Sequence, residues 1–134
     1  MKVGIEMKVL VLEPMKHPYV KEISGELQSI QDLVGGYFQA IFPSADDSIA
    51  MCLNEEGRLI SLPRNRALTD SNGNPYDCIY GTAFIAGVDG SDLCSLPEPL
   101  IEKYTKLYFW PDVFIEDPST GCIIVRPATE AEIR

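Results

Sequence analysis

Hydrophobic and polar positions alternate along this chain with two periods, and the change from one to the other marks out its elements. Val9-Leu10-Val11-Leu12 after Lys8 is a continuous apolar run, the pattern of a strand covered on both faces. A proline-flanked turn at residues 13–18 follows, and residues 19–23 alternate as a partner strand, giving an N-terminal hairpin. Leu27, Ile30, Leu33 and Val34 then recur at helical spacing, with Ser24 placed as an N-cap and Gly35-Gly36 as the stop. Residues 37–42 and 48–53 read as strands. Asn54-Glu55-Glu56-Gly57 is a turn suited to positive φ, and residues 58–62 complete a hairpin with the strand before it.

Residues 69–74 are dense in Asn, Asp, Ser and Gly and read as loop. Residues 79–88 read as one strand, interrupted by Gly81 and Gly87, where a bulge or a close backbone approach is expected. Ser95 and Glu98 have the spacing of a capping box, although Pro97 and Pro99 blur which residue caps. Leu100, Ile101, Tyr104, Leu107 and Tyr108 continue as an amphipathic helix. Residues 112–126 form a terminal hairpin through Asp117-Pro118-Ser119-Thr120-Gly121, and residues 127–134 a polar, frayed tail. Met1-Lys2-Val3 recurs as Met7-Lys8-Val9, so residues 1–6 read as a short leader before a natural start at Met7. The pattern predicts a single compact α+β domain over residues 7–126. Its sheet is mainly antiparallel, of about five to seven strands, with two helices packed on it.

Composition narrows the function classes. With 134 residues, the chain fits one domain able to bury a core without staples. No apolar run approaches the roughly 20 residues of a membrane span, and no leader suggests export; a soluble cytoplasmic protein is expected. Cys52, Cys78, Cys94 and Cys122 are far apart and lack neighbouring histidines. They read as small buried hydrophobes, with no metal site. The formal net charge of −9 argues against direct nucleic-acid binding. It suits a solvated face or an acidic surface offered to a basic partner. The acids Asp89, Asp92, Glu98, Glu102, Asp112, Glu116 and Asp117 face only Lys103 and Lys106 in the later sequence, and a solvated face is the simpler reading.

No catalytic constellation is visible. His17 is the only histidine, sits in a turn and reads as solvated. Gly35-Gly36 lacks the strand before, the helix after and the Lys-Ser/Thr of a phosphate loop. Asp46-Asp47 and Glu55-Glu56 adjoin turns and read as surface pairs. No cofactor is implied. The densest block of unusual residues is Arg64-Asn65-Arg66 with Tyr76, Tyr80, Gly81 and Thr82. Guanidinium forks suit carboxylate or phosphate, and asparagine both donates and accepts. One reading makes Arg64, Asn65, Arg66, Gly81 and Thr82 an anion-receiving pocket with Tyr76 or Tyr80 as a stacking surface. The other, which we favour, has one arginine tying a long loop to backbone carbonyls or to Asp70 or Asp77.

Several of these segments carry a resemblance. Residues 9–14 (Val-Leu-Val-Leu-Glu-Pro), Leu33-Val34-Gly35-Gly36-Tyr37, Asn54-Glu55-Glu56-Gly57, Leu62-Pro63 with Asn65-Arg66-Ala67, and Gly81-Thr82 with Phe84-Ile85 and Gly87 resemble the family catalogued as domain of unknown function 3846. The resemblance runs from about Met7 to Trp110; the terminal hairpin lies outside it. It implies a setting in phages, prophages and conjugative elements of bacteria, and no particular reaction. Small accessory proteins of such elements often act by binding, so a non-enzymatic binding or inhibitory module acting on a host protein is the leading expectation. A binder of a phosphate-bearing or nucleotide ligand is the alternative, and an enzyme the weakest reading. Exposed edge strands leave a homodimer open.

Overall fold

A computed structural model describes residues 6–43 and 48–134; residues 1–5 of the expected 1–6 leader and the pair Asp46-Asp47 lie outside them, while Glu6 opens the first strand. The central sheet is antiparallel throughout. Strand β1 (Glu6–Leu12) pairs with β2 (Tyr19–Ser24) on one side and with β7 (Ala83–Asp89) on the other. Beyond β7 lie β4 (Ile49–Asn54) and then β3 (Phe38–Ile41), and short β8 (Asp92–Cys94) extends β7 as a hairpin. Spatial order is β2-β1-β7-β4-β3. The continuous apolar run of β1 has the expected cause, since both faces of the sheet are covered. Met7, Val9 and Val11 join Phe84, Ala86 and Cys52 beneath helix α1 (Leu27–Val34), which contributes Ile30 and Val34. Leu10 and Leu12 point the other way, with Ile49, Met51, Ala83 and Ile85.

That second face is covered by two elements. Helix α2 (Glu98–Leu107) supplies Ile101 and Tyr104. A separate two-stranded ribbon, β5 (Arg64–Thr69) with β6 (Pro75–Tyr80), supplies Leu68 and Ile79. A second ribbon, β9 (Asp112–Glu116) with β10 (Ile123–Pro127), packs its β9 strand beside β5. The architecture is α+β, mainly antiparallel, with both helices packed on the central sheet, as the pattern predicts. No helix among the described residues is long and apolar enough to cross a membrane.

Five local expectations are corrected. Residues 58–62 do not pair with β4, whose edges are taken by β3 and β7; they wind into turns closed by Ile60 N–H to Glu56 O and Leu62 N–H to Gly57 O. The single strand over residues 79–88 is two strands in two sheets. Gly81 sits at φ +77, and a Cβ there would lie 2.7 Å from Leu62 Cδ1, so only glycine makes this turn without strain. Ser24 accepts the Glu26 N–H one turn before α1, and Glu26 occupies the N-cap position. Ser95 accepts the Lys8 N–H at 2.9 Å and does not cap α2, which begins at N-cap Pro97 with no side-chain cap. The tail is tied down. Thr129 and Glu132 form a capping box on a short 3-10 turn (Glu130–Glu132), Arg126 grips both Glu132 oxygens at 2.9 and 3.0 Å, and the Arg134 N–H reaches Met15 O.

This packing makes two expectations measurable. At Gly87 a Cβ would stand 2.6 Å from the Ser95 carbonyl oxygen and 2.9 Å from Cys94 Sγ. Gly87→Ala is therefore expected to destabilise by about 1–3 kcal/mol, read as a lower urea midpoint at unchanged slope. The Arg126 and Thr129 hydrogen bonds bring the Glu132 carboxyl from its ordinary 4.5 down to about 2. Because the folded value is the lower one, the tail's contribution is present at neutral pH. It is lost as pH falls from about 4.5 through about 2; an NMR titration that finds the Glu132 carboxyl carbon titrating with ordinary glutamates would refute this.

Candidate functional site

The block that stands out in the sequence is organised by a bulge. Arg64 pairs with Tyr80 and Ala67 with Cys78, so two residues, Asn65 and Arg66, lie opposite the single Ile79. A bulge of this kind breaks the two-residue alternation and re-aims side chains. Asn65 and Arg66 are accordingly both buried, at 0% and 1% exposure, although they are consecutive. Asn65 Nδ2 donates to Leu12 O at 2.8 Å and to Gly81 O at 2.9 Å. Arg66 Nε donates to Tyr108 O at 2.7 Å, Nη2 to Lys16 O at 2.7 Å, and Nη1 to Glu13 O at 3.1 Å and Asn65 Oδ1 at 2.6 Å. Three elements meet on one guanidinium: the ribbon, the turn after β1 and the C-terminal end of α2. Burial brings the Arg66 guanidinium down to about 10, against the pull of Asp112 and Tyr108, so it keeps its charge at neutral pH. Its cation also suits the carbonyl end of a helix.

Arg64 is turned the opposite way. On the face of β6 away from the core stand Tyr76, Cys78 and Tyr80, and facing them are Phe114 of β9 and Ile123 and Val125 of β10. The two ribbons thus form a V, with β5 and β9 at the vertex and β6 and β10 at the rims. Ala67 N–H donates to Asp112 Oδ2 at 2.8 Å and pins that vertex; burial raises the Asp112 carboxyl, while the Ala67 and Arg66 contacts oppose the rise. The V encloses about 310 Å³, at the lower end of ligand-pocket volumes.

At one end of this groove two guanidiniums share an aromatic ring. The carbon of Arg58 stands 5.5 Å from the Tyr80 centroid, and that of Arg64 stands 5.8 Å from both Tyr80 and Phe114. Arg64 Nε also makes a long 3.4 Å contact to the Tyr80 hydroxyl, which holds its pKa above the usual arginine value. Arg58 pairs with Asp77 at 2.8 Å. Among the described residues no carboxylate lies within ion-pair distance of Arg64.

The seven residues singled out in the sequence therefore do not converge. Arg64, Tyr76 and Tyr80 line the groove. Asn65 and Arg66 are interior. Gly81 packs on Leu62, and Thr82 borders a separate polar hollow with Glu13, Tyr19 and Asp32. A larger hollow of about 650 Å³ adjoins Arg66, Tyr76, Tyr104, Tyr108 and Trp110. There the Arg66 donors already serve carbonyls, Lys106 is bridged to Glu102 at 3.1 Å, and Lys103 also lines the hollow. Sequence reading misses Arg58, in the turn segment just before the block, and Phe114, Ile123 and Val125, which lie in segments distant from it. The alternation of β9 and β10 would have placed the last three on one face, though not against which partner.

Other residues differ from expectation. His17 is half-buried rather than solvated: its ring stacks on Phe109 at 4.0 Å, meets Trp110 edge-on at 5.0 Å, and Nδ1 lies 2.7 Å from Phe109 O. Of the four cysteines only Cys52 is a buried hydrophobe, its thiol pushed up to about 12 by burial. Cys78 and Cys94 are half-buried, and Cys122 is exposed beside a turn. Asp112 belongs to the vertex of the V and not to a solvated face. No group of three or more metal-ligating side chains is gathered among the described residues.

The interior and groove arginines make a test. Arg66→Met leaves the Glu13, Lys16 and Tyr108 carbonyls without their donor, at about 1–3 kcal/mol for each buried group. A loss of at least about 3 kcal/mol in urea unfolding is expected. Arg64→Ala should stay within about 0.5 kcal/mol of the parent; equal losses in the two variants would contradict the division of roles.

No curated protein and no solved structure matches the chain. One family model does, over residues 7–109, covering β1 through α2 and including the bulge, Gly81 and the Arg66 anchor. The chain belongs to the family described as Domain of unknown function (DUF3846).

Proposed function

We propose that this protein is a non-enzymatic binding module whose ligand presents an anionic group to Arg64 in the V between the two ribbons. The observation that carries this reading is Arg64 itself, a cation with no carboxylate in reach among the described residues, held over Tyr80 and Phe114 at the end of an apolar groove. An arginine so placed is pre-oriented for a planar anion, and little side-chain freedom remains to be lost on binding. The setting implied by the family resemblance, an accessory protein of a phage or mobile element acting on a host component, fits a module of this kind.

The net charge of −9 supports a companion reading, in which the outer surface steers a basic host protein towards the module. Association through that surface should slow steeply between low and physiological salt.

The groove is tested with small anions. Benzoate and phenyl phosphate are titrated into labelled protein while the Arg64 Nε–H and Tyr80 ring resonances are followed by NMR. Saturable shifts are expected, weakened by up to about fivefold in Arg64→Gln, as loss of one exposed ion pair of about 0–1 kcal/mol implies. Shifts that neither saturate nor depend on Arg64 would dispose of the proposal.

A further inference from the structure

We infer that the ligand of the groove is an extended peptide segment of another protein, apolar in character and carrying one carboxylate side chain that pairs with Arg64. This rests on the anion-binding reading above and narrows it by chemistry.

Charge comes first. Among the described residues, Arg58, Arg64 and Asp77 are the only charged ones lining the groove, so two guanidiniums face one carboxylate and the site carries one net positive charge. Asp77 already holds Arg58 at 2.8 Å, which leaves Arg64 as the cation to be matched. One carboxylate neutralises it. A phosphate monoester, close to a dianion at neutral pH, would leave an excess negative charge in a chain that is already at −9.

Shape points the same way. The wall of β6 presents Tyr76, Cys78 and Tyr80 at every second residue, a length of about 13 Å at the usual strand rise. The facing wall presents Ile123 and Val125 at the same two-residue spacing. Two parallel rows at this period match the side chains of an extended chain lying between them, one residue in two directed to each wall. The side chains of Phe114, Ile123 and Val125 offer no donor or acceptor to read a base edge. They do offer apolar surface to aliphatic and aromatic side chains. Ile123 is 44% and Tyr76 66% exposed, so apolar area remains to be covered.

A random heptapeptide display library panned on the immobilised full chain tests this without presupposing a sequence. The bound pool is expected to be enriched at least tenfold in peptides with one Asp or Glu among apolar residues at alternate positions. That enrichment should vanish on Arg64→Gln and on Ile123→Ser, a wall variant that leaves the cation in place. Benzoate should compete with a selected peptide and adenosine monophosphate should not. Should adenosine monophosphate bind in an Arg64-dependent way while no acidic peptide is enriched, the peptide inference falls and the anion-binding reading stands. The peptide inference falls in the same way if benzoate shifts Arg64 but the library yields nothing that depends on it. Failure of every anion to perturb Arg64 removes both.

Discussion

The guanidinium of Arg66 is the constraint on which the rest of this structure depends. The ribbon β5–β6 shares no ladder with the central sheet, so burial of Leu68 and Ile79 holds it down without fixing its direction. Hydrophobic contact is non-directional; hydrogen bonds to a buried charge are not. An arginine withdrawn from water is tolerable only when its donors are satisfied, and here carbonyls of Glu13, Lys16 and Tyr108 satisfy them together with Asn65 Oδ1. Each carbonyl belongs to a segment with another attachment of its own. The ribbon, the turn after β1 and the end of α2 are thereby held in one arrangement. Among the described residues no buried side-chain nitrogen or oxygen lacks a partner, so the network is complete as well as extensive.

The same bulge that admits Arg66 to the interior creates the groove. In a regular strand Arg64 and Arg66, two apart, would share a face. The extra residue opposite Ile79 separates them, sending Asn65 and Arg66 inward and leaving Arg64 over Tyr80. The Ala67 N–H then meets Asp112, and β9 is brought alongside β5. Anchor, vertex and cation thus all lie within four residues of one short strand. Side chains on functional surfaces are best held by rigid elements with a supporting layer behind them, and the Arg66 network lies directly behind Arg64.

What is legible in the sequence depends on the range of each interaction. Residues 8–12 read as a doubly covered strand because covering both faces removes polar positions, a local signal. Helix α1 and its stop at Gly35 are equally local, and Gly35 does adopt the left-handed conformation at φ +83. The turn at Gly81 shows as an irregularity, but the sequence does not reveal that the chain changes sheets there, because Ile79-Tyr80 and Ala83-Phe84-Ile85-Ala86 read as one apolar run across it. Residues 58–62 resemble a hairpin arm; pairing is decided by which edges of β4 are free, and β7, far along the chain, takes one of them. The tail is polar enough to read as frayed, yet Arg126 and Glu132 satisfy each other and Thr129 closes the cap. Arg64-Asn65-Arg66 is conspicuous, but its division into interior and surface residues depends on a bulge visible only through the register with residues 78–80.

The energetics of the groove follow from its place on an acidic protein. An exposed ion pair contributes about 0–1 kcal/mol, and at physiological ionic strength fields decay over roughly 8 Å. Arg64 cannot therefore draw a ligand from far away against the surrounding negative charge, nor hold it tightly alone. In the proposed complex affinity would come from the walls. At about 25 cal/mol per Å², covering the exposed parts of Tyr76, Phe114, Ile123 and Val125 outweighs one such pair once more than roughly 40 Å² of apolar surface is removed from water. In the proposed complex Arg64 would supply discrimination: a neutral apolar segment would leave it stripped of water and unmatched, while one carboxylate would complete it. A strongly anionic ligand would meet repulsion from the rest of the chain. On the proposed reading the apolar walls would give affinity and the one cation choice, and the bulge at Asn65-Arg66 is what sets Arg64 on the groove side of its strand.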